Sequence, residues 1–284
     1  MTLTLLRGGR IHTAADPDAT AIAISDSTIS WIGGEHATAL AGVPHRVIDL
    51  DGALVVPGFV DAHVHTTDAG LAISGVDLTG ARSLAQCLTE VRAYASGNPG
   101  GVLWGHGWDE TNWPEIRPPT RAELDEATGQ RPVYLSRIDV HSALISSALA
   151  ETVADGAALA GWSTTGPVTQ LAHAAVRAAA RQHLSVAQRR AAQLSFLRAA
   201  AANGIVEVHE CAAGDETGRA DLAALLALPG PIPVRGYLAV AVTDPEQARQ
   251  VLAATGAHAL GGDLTVDGAI GSRTGGIATW MMIA

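Results

Sequence analysis

Charged residues are scarce in this 284-residue chain, making up 16% of it against 48% hydrophobic residues. So little charge disfavours coiled coils and long solvated helices. The net charge is −10, and no run of Lys or Arg occurs anywhere. A surface able to neutralise phosphates is therefore excluded, and we expect no nucleic-acid partner.

Cysteines and long apolar runs are also few. Two cysteines, Cys87 and Cys211, cannot build a disulfide framework and are typical of buried thiols in a reducing compartment. The first residues lack the charged start and sustained apolar core of a signal peptide. No run of about 18 apolar residues is present, so no membrane span is expected. These absences together predict a cytoplasmic protein.

The pattern of apolar residues changes near residue 56. Residues 1–56 consist of short alternating runs, with a hairpin predicted around Ser25–Ser27, and favour a small β unit that is part of a β-sandwich. Over residues 57–284, apolar runs alternate with Ala-rich helical stretches, which indicates an α/β fold with a parallel sheet. His173 and His183 lie in such stretches and are expected at the surface. The predicted helices cover 83–96, 120–127, 143–150, 168–183, 185–203, 216–228 and 244–256.

The number of strands is too small for a closed barrel. A (β/α)8 barrel needs eight strands, and the candidates after residue 54 are LVVPGFVDAH, GVLWGHGW, PVYLSRID, GIVEVHE, IPVRGYLAV and LTVDGA. An open parallel sheet would leave an unpaired edge and an uncovered apolar face. We therefore expect an incomplete (β/α)8 barrel in a truncated chain.

The sharpest motif is a His-x-His pair in VVPGFVDAHVH. Side chains alternate along a strand, so Asp61, His63 and His65 share one face. At the end of a first barrel strand, that face is the barrel mouth, where barrel active sites lie. Two neutral imidazoles there suit a divalent metal such as zinc, and Asp61 is placed to fix a ring tautomer. The alternative is a structural His pair without metal.

Several segments after this motif occur in a recognisable order. They are Gly-Trp-Asp at 107–109, Pro-Thr at 119–120, Leu-Asp at 124–125, Arg-x-Asp-x-His at 137–141 and Asp-Gly-Ala-Ile-Gly-Ser-Arg-Thr at 267–274. With the His pair, they resemble the amidohydrolase superfamily, in particular its amidohydrolase-3 (YtcJ-like) branch, over about residues 1–276. The resemblance implies a β-sandwich plus a distorted (β/α)8 barrel, one or two divalent metals, and hydrolysis of carbon–nitrogen bonds other than peptide bonds. Amides and N-formyl amines are the implied substrates.

The resemblance also implies further metal-binding groups. Many superfamily members bridge two metals with a carboxylated Lys, but no strand candidate here contains Lys, and Asp263 aligns with that position. The carboxylates available instead lie in IVEVHEC. Alternation there places Glu207 and His209 on the inner face and Glu210 at the strand tip. We expect Glu210 or His209 to complete the metal's ligands; unchanged zinc content in a Glu210→Gln variant would exclude Glu210.

The other candidates have competing interpretations. The predicted catalytic residues are His141, His209 and Asp267, and the predicted substrate contacts are Trp108, Asp109 and Arg273. His141 would contact a substrate oxygen, or else cap the following helix. Trp108 and Asp109 would line the pocket, or else pack within a loop. Arg273 would bind an anionic substrate group, or else pair with a carboxylate.

Two functions stay open at this point. The first is a metal-dependent amidohydrolase acting on a small amide-type substrate, with a deaminase of the same superfamily as a weaker variant. The second is a non-catalytic, truncated or degenerate relative. The late-strand His and Asp of the superfamily are missing, so we expect poor activity from the isolated chain. The sequence is compatible with a homo-oligomer and leaves the metal's identity open.

Overall fold

The computed structural model describes residues 2–98 and 100–264, which fall into two compact units. The first unit comprises Met1–Phe59 and the second begins at Val60. Among the described residues, no helix combines the length and the apolar character needed to cross a bilayer.

The first unit is built from short strands. Its main sheet has the order β4-β3-β1-β5, in which β1 pairs antiparallel with β3 and parallel with β5. A parallel two-stranded ribbon, β2 with β6, accompanies it. The strands are β1 (Leu3–Arg7), β2 (Arg10–Ile11), β3 (Ala21–Ser25), β4 (Thr28–Gly33), β5 (Arg46–Asp49) and β6 (Leu54–Val55). The predicted hairpin is confirmed, because β3 and β4 pair antiparallel across a turn at Asp26, whose φ is 53°.

Alternation along β3 gives this unit apolar contacts on both faces of the sheet. Ala21 and Ala23 pack with Leu5, while Ile22 packs with Ile11 and its neighbours. Because both faces of the sheet are covered at β3, both sets of alternating side chains are apolar, and the sequence of β3 is a continuous apolar run. The β-sandwich expected here stays a prediction.

The second unit contains two separate sheets. One has the order β12-β11-β10-β9-β8 and is mixed: β8, β9 and β10 are parallel, whereas β11 is antiparallel to both of its neighbours. Its strands are β8 (Val76–Asp77), β9 (Leu103–Trp108), β10 (Val133–Arg137), β11 (Ser142–Ile145) and β12 (Val168–Thr169). The other has the order β15-β14-β13-β7, with β13, β14 and β15 parallel. Its strands are β7 (Phe59–Val64), β13 (Ile205–Ala213), β14 (Val234–Ala239) and β15 (Ala259–Leu260).

The described residues form no closed barrel, and the incomplete barrel expected here stays a prediction. The strand candidates GVLWGHGW and PVYLSRID belong to the mixed sheet, apart from the sheet that contains β7. The strand candidate LTVDGA lies outside the described residues apart from its first residue. An α/β fold is confirmed. The separation was not visible in the sequence because apolar strands look alike whichever sheet they join.

Most helices agree closely with the predicted ranges, but the first helix was not predicted. They are α1 (Thr66–Ser74), α2 (Leu84–Gly97), α3 (Arg121–Thr128), α4 (Ser147–Ala150), α5 (Gln170–Gln182), α6 (Val186–Ala202), α7 (Glu216–Leu226) and α8 (Pro245–Thr255). Capping boxes at Thr120 and Ser185 start α3 and α6. Helix α6 ends at Ala202, with Asn203 as its C-cap and Gly204 following at φ 81°.

One predicted helix is wrong in its first half. Within 143–150, residues up to Ile145 belong to β11, and only α4 is helical. All four residues of β11 are buried, and the strand pairs with β10. A short apolar run fits a buried strand as well as a helix, so the tertiary pairing decides.

Helix α1 packs closely against α6 at Gly70. A Cβ atom at this position would overlap the backbone carbonyl of Ala192, which a rotamer change cannot relieve. We expect Gly70→Ala to lower the free energy of unfolding by about 2 to 3 kcal/mol, as measured by urea titration. Gly97→Ala is the matched control, because Gly97 also lies in a helix but has open space around it. It should stay within about 1 kcal/mol of the parent, and equal effects would contradict the predicted overlap.

Candidate metal centre

The His-x-His pair lies at the end of β7. His63 belongs to the strand, and His65 is the residue before α1. The two rings meet edge to face, with centroids 5.6 Å apart. Their Nε2 atoms converge on one carboxylate: Asp263 Oδ1 lies 3.0 Å from His63, and Asp263 Oδ2 lies 2.9 Å from His65. The two imidazoles thus face a common point next to a negative charge.

Cys211 adds a fourth potential ligand. A ligand atom from each of His63, Cys211 and Asp263 lies within 4.8 Å of the other two. Cys211 belongs to β13 and is buried. Imidazole nitrogen, carboxylate oxygen and thiolate sulfur together are a donor set that zinc accepts. The residues present therefore fit a divalent metal.

Asp263 occupies the position that the resemblance aligns with a bridging Lys. The sequence contains no lysine at all, so a carboxylated Lys cannot form in this chain. The Asp263 carboxylate reaches both imidazoles instead. It supplies the same chemical group, a carboxylate, from a shorter side chain.

Burial sets the protonation of these groups. Burial lowers the pKa of His65, and the neighbouring Asp263 carboxylate opposes that shift. The ring is thereby favoured in the neutral form that a metal requires. Burial raises the pKa of the Cys211 thiol, and the Asp263 and Glu210 carboxylates raise it further. Cys211 therefore carries its proton until a cation displaces it.

Two cavities border the centre. The larger, of about 840 Å³, is lined by both histidines of the pair, Asp263, Trp104, His106, Tyr134, His141, His173 and Arg177, among others. The smaller, of about 410 Å³, is lined by His65, Arg177, Arg181, Glu210, Cys211 and Asp263, among others. The larger cavity has the size typical of a small-molecule site.

His141, a predicted catalytic residue, lies between β10 and β11. It lines the larger cavity together with His63 and His65. Its Nδ1 lies 2.5 Å from the carbonyl oxygen of Asp139, and because a carbonyl only accepts, Nδ1 carries the hydrogen. The Nε2 atom is therefore left as a proton acceptor. The alternative of a helix cap does not hold, because Ser146 caps α4.

Glu210 is not at the strand tip. It lies inside β13, is buried, and its Oε2 accepts a 2.6 Å hydrogen bond from the Thr66 backbone N–H. Burial raises the pKa of Glu210, and the hydrogen bonds from Thr66 counteract the rise. Glu210 thus borders the smaller cavity without joining the group that converges on Asp263. The strand continues three residues beyond the predicted end, which explains the difference.

His209 and Glu207 share the inner face of β13, but they interact with each other. His209 Nε2 lies 3.1 Å from Glu207 Oε1, which also pairs with Arg235 at 2.8 Å. The His209 ring packs on Tyr237. His209 does not line either cavity bordering the centre in the described part of the chain. The structure therefore does not bring it to the centre formed by the His pair.

The predicted substrate contacts Trp108 and Asp109 are engaged elsewhere. Trp108 is 1% exposed, packs in the core of the mixed sheet and donates from its indole N–H to the Leu135 carbonyl. Asp109 pairs with Arg137 at 2.8 Å and accepts from Thr111. Trp108 thus packs in strand β9, and not in a loop as the alternative interpretation had it. Asp267 and Arg273 lie outside the described residues.

His173 was expected at the surface, and this expectation is wrong. It is 8% exposed and lies 2.8 Å from the Tyr134 hydroxyl. Burial, reinforced by His141, lowers the pKa of His173 to about 4. Its position on α5 faces the mixed sheet, where it meets Tyr134 of β10. His173 is spaced four and eight residues before Arg177 and Arg181, so the sequence groups it with charged residues and gives no sign of its burial.

Sequence reasoning also missed a cluster of charges beside the centre. Asp68 of α1 pairs with both Arg177 and Arg181 of α5. The two arginines are four residues apart and so share a helix face. That spacing was the available signal, but nothing in the sequence connected it to Asp68, which is more than 100 residues away.

Comparison with known proteins identifies the family of this chain. A family model described as the amidohydrolase family matches residues 46–280, so the chain belongs to the amidohydrolase family. Among curated relatives, the N-substituted formamide deformylase of Arthrobacter pascens is 33% identical over 143 residues, covering 49% of this chain and 26% of that protein. The exoenzymes regulatory protein AepA of Pectobacterium carotovorum subsp. carotovorum is 28% identical, covering 51% of this chain and 33% of that protein.

Solved structures show the same fold. An uncharacterized metal-dependent hydrolase from Pyrococcus furiosus superposes with a TM-score of 0.65 at 26% identity, covering 95% of this chain and 58% of that one. A counterpart from Pyrococcus horikoshii also gives a TM-score of 0.65, at 22% identity, covering 89% of this chain and 51% of that one. The chain thus spans little more than half the length of these structures, and its matches to the two curated relatives span a third or less.

Proposed function

We propose that this protein is a metal-dependent hydrolase of carbon–nitrogen bonds other than peptide bonds, with amides or N-formyl amines as substrates. The observation that carries the proposal is the convergence of His63 and His65 on the Asp263 carboxylate. Membership of the amidohydrolase family supports the class of reaction. The similarity to a protein named N-substituted formamide deformylase supports formamides as substrates.

His63, His65 and Asp263 would hold the metal, with Cys211 as a further ligand. A bound divalent ion supplies Lewis-acid chemistry: it polarises a carbonyl and makes water more acidic. The charge of Asp263 would offset part of the charge of the cation. Zinc is the ion that this mixture of nitrogen, oxygen and sulfur favours.

His141 is the described residue best placed to move a proton. The ring hydrogen is on Nδ1, so Nε2 can accept a proton. The ring lines the larger cavity, which His63, His65 and Asp263 also line. It can accept a proton from the attacking water and return it to the leaving nitrogen. Asp267 stays a predicted catalytic residue outside the described part of the chain.

The proposal is tested with purified, zinc-loaded protein and a panel of N-formyl and N-acetyl amines, with release of the free amine as the readout. We expect amine release that stops after chelation and resumes when zinc is restored. His141→Gln should reduce kcat by about 100-fold or more, the usual contribution of a proton-transferring side chain, while zinc content stays at parent level. Zinc binding without turnover of any amide would instead support the non-catalytic alternative.

A further inference from the structure

Helix α1 begins directly after one of the proposed metal ligands. His65 is the N-cap residue of α1, and its carbonyl oxygen accepts a helical hydrogen bond from the Ala69 N–H at 2.9 Å. The His65 side chain makes no capping hydrogen bond, and its Nε2 faces Asp263 instead. The first N–H groups of a helix need acceptors. At α1 such an acceptor has to come from another part of the chain.

Glu210 supplies an acceptor from β13. Its Oε2 lies 2.6 Å from the backbone nitrogen of Thr66, the first residue of α1. Thr66 is 0% exposed and Glu210 is 4% exposed, so bulk water cannot take the place of either partner. A helix N-terminus carries a positive partial charge, which favours a carboxylate at this position. The hydrogen bond therefore ties the start of α1 to the strand that neighbours β7.

Consecutive residues of β13 serve the two sides of this arrangement. Side chains alternate along a strand, so Glu210 and Cys211 project from opposite faces. Cys211 lies close to His63 and Asp263, whereas Glu210 reaches the start of α1. One strand thus offers a potential metal ligand and, one residue earlier, holds the helix that follows His65.

We propose that Glu210 is a positioning residue, which holds His65 beside His63 by accepting the hydrogen bond from the Thr66 N–H. Loss of a group that orients a metal ligand typically weakens metal binding by about 10- to 100-fold. The role requires an oxygen acceptor, and a neutral amide of the same shape can supply one. This inference rests on the proposed metal-dependent function, but its test measures metal binding and does not require turnover.

The test compares two neutral replacements of similar length in the full chain. Glu210→Gln keeps an oxygen that can accept from Thr66, whereas Glu210→Met fills the buried volume without that oxygen. Zinc affinity is measured by competition with a chromophoric chelator. We expect zinc binding to be weaker by about 10-fold or more in Glu210→Met, and within about threefold of the parent in Glu210→Gln.

Thr66→Pro removes the same hydrogen bond from the donor side. Proline has no N–H and is well tolerated at the first position of a helix, so this change should keep α1 while weakening zinc binding. If both changes act through one hydrogen bond, their effects are not additive. The double variant should then bind zinc no more weakly than the weaker of the two single variants.

A spectroscopic measurement and a control separate positioning from a general loss of stability. Cobalt(II) replaces zinc for this purpose, because Zn²⁺ is d¹⁰ and gives no visible ligand-field spectrum. We expect an altered visible spectrum for cobalt-loaded Glu210→Met and a parent-like spectrum for Glu210→Gln. Leu124→Ala is the control, because Leu124 is buried in the core of the mixed sheet and lines neither cavity. It should lower the free energy of unfolding and leave zinc affinity and the cobalt spectrum unchanged.

The outcomes distinguish this role from its alternatives. Parent-like zinc affinity in Glu210→Met or in Thr66→Pro overturns the proposal, as does an equal loss in Glu210→Gln. Additive losses in the double variant, or an equal loss in Leu124→Ala, overturn it as well. The expected zinc affinities in a chain that releases no amine would retain the role of Glu210 and reject the hydrolase.

Discussion

Replacing Asp263 with Asn is expected to weaken zinc binding by at least about 100-fold, since loss of a direct ligand exceeds the 10- to 100-fold effect of second-sphere changes. Asn has the same shape as Asp but lacks the charge that faces both imidazoles at 3.0 and 2.9 Å. Zinc affinity is measured by competition with a chromophoric chelator, and zinc content by elemental analysis of the purified protein.

Two carboxylate-to-amide changes serve as controls for this variant. Glu126→Gln alters an exposed residue of α3 that borders neither the metal-binding residues nor the two cavities, and this variant should bind zinc as the parent does. Glu210→Gln should also retain zinc, because Glu210 accepts from Thr66 and lies outside the converging group. Parent-like zinc affinity in Asp263→Asn, or zinc loss in Glu210→Gln, would show that the ligands have been assigned wrongly.

Acidification is expected to destabilise the protein through His173. Its pKa is lowered to about 4 in the folded state, mainly by burial, against a reference value of 6.5. Between these values the unfolded chain binds a proton that the folded protein does not, so stability falls as the pH decreases from 6.5 to 4. A shift of this size corresponds to about 3 kcal/mol. Urea unfolding at intervals across this range measures it.

His173→Gln should flatten this pH dependence, whatever its effect on stability at pH 7. The matched control is His183→Gln, which changes an exposed histidine at the end of the same helix and should leave the pH dependence as in the parent. The bond between His173 and the Tyr134 hydroxyl is expected to weaken with the same midpoint. An identical slope in the parent and His173→Gln would assign acid sensitivity to other groups.

The sequence by itself determined the local elements and the pair at the heart of the centre. Alternation and turn residues were sufficient for the β3–β4 hairpin, and the Ala-rich helical pattern was sufficient for α5 and α6 to within about two residues. The shared face of His63 and His65 follows from strand geometry alone, because residues i and i+2 always point to the same side. Each of these features depends on residues that are close together in the sequence.

Only the tertiary structure decided which distant groups meet that pair. Asp263 is about 200 residues from His63, Cys211 read as an ordinary buried thiol, and Glu210 read as a ligand but binds the Thr66 backbone. Asp68 pairs with Arg177 and Arg181 from more than 100 residues away, a pairing that the sequence offered no means of predicting. The physical reason is that strand order and helix orientation arise from packing between remote segments. Local periodicity carries no information on which segments become neighbours.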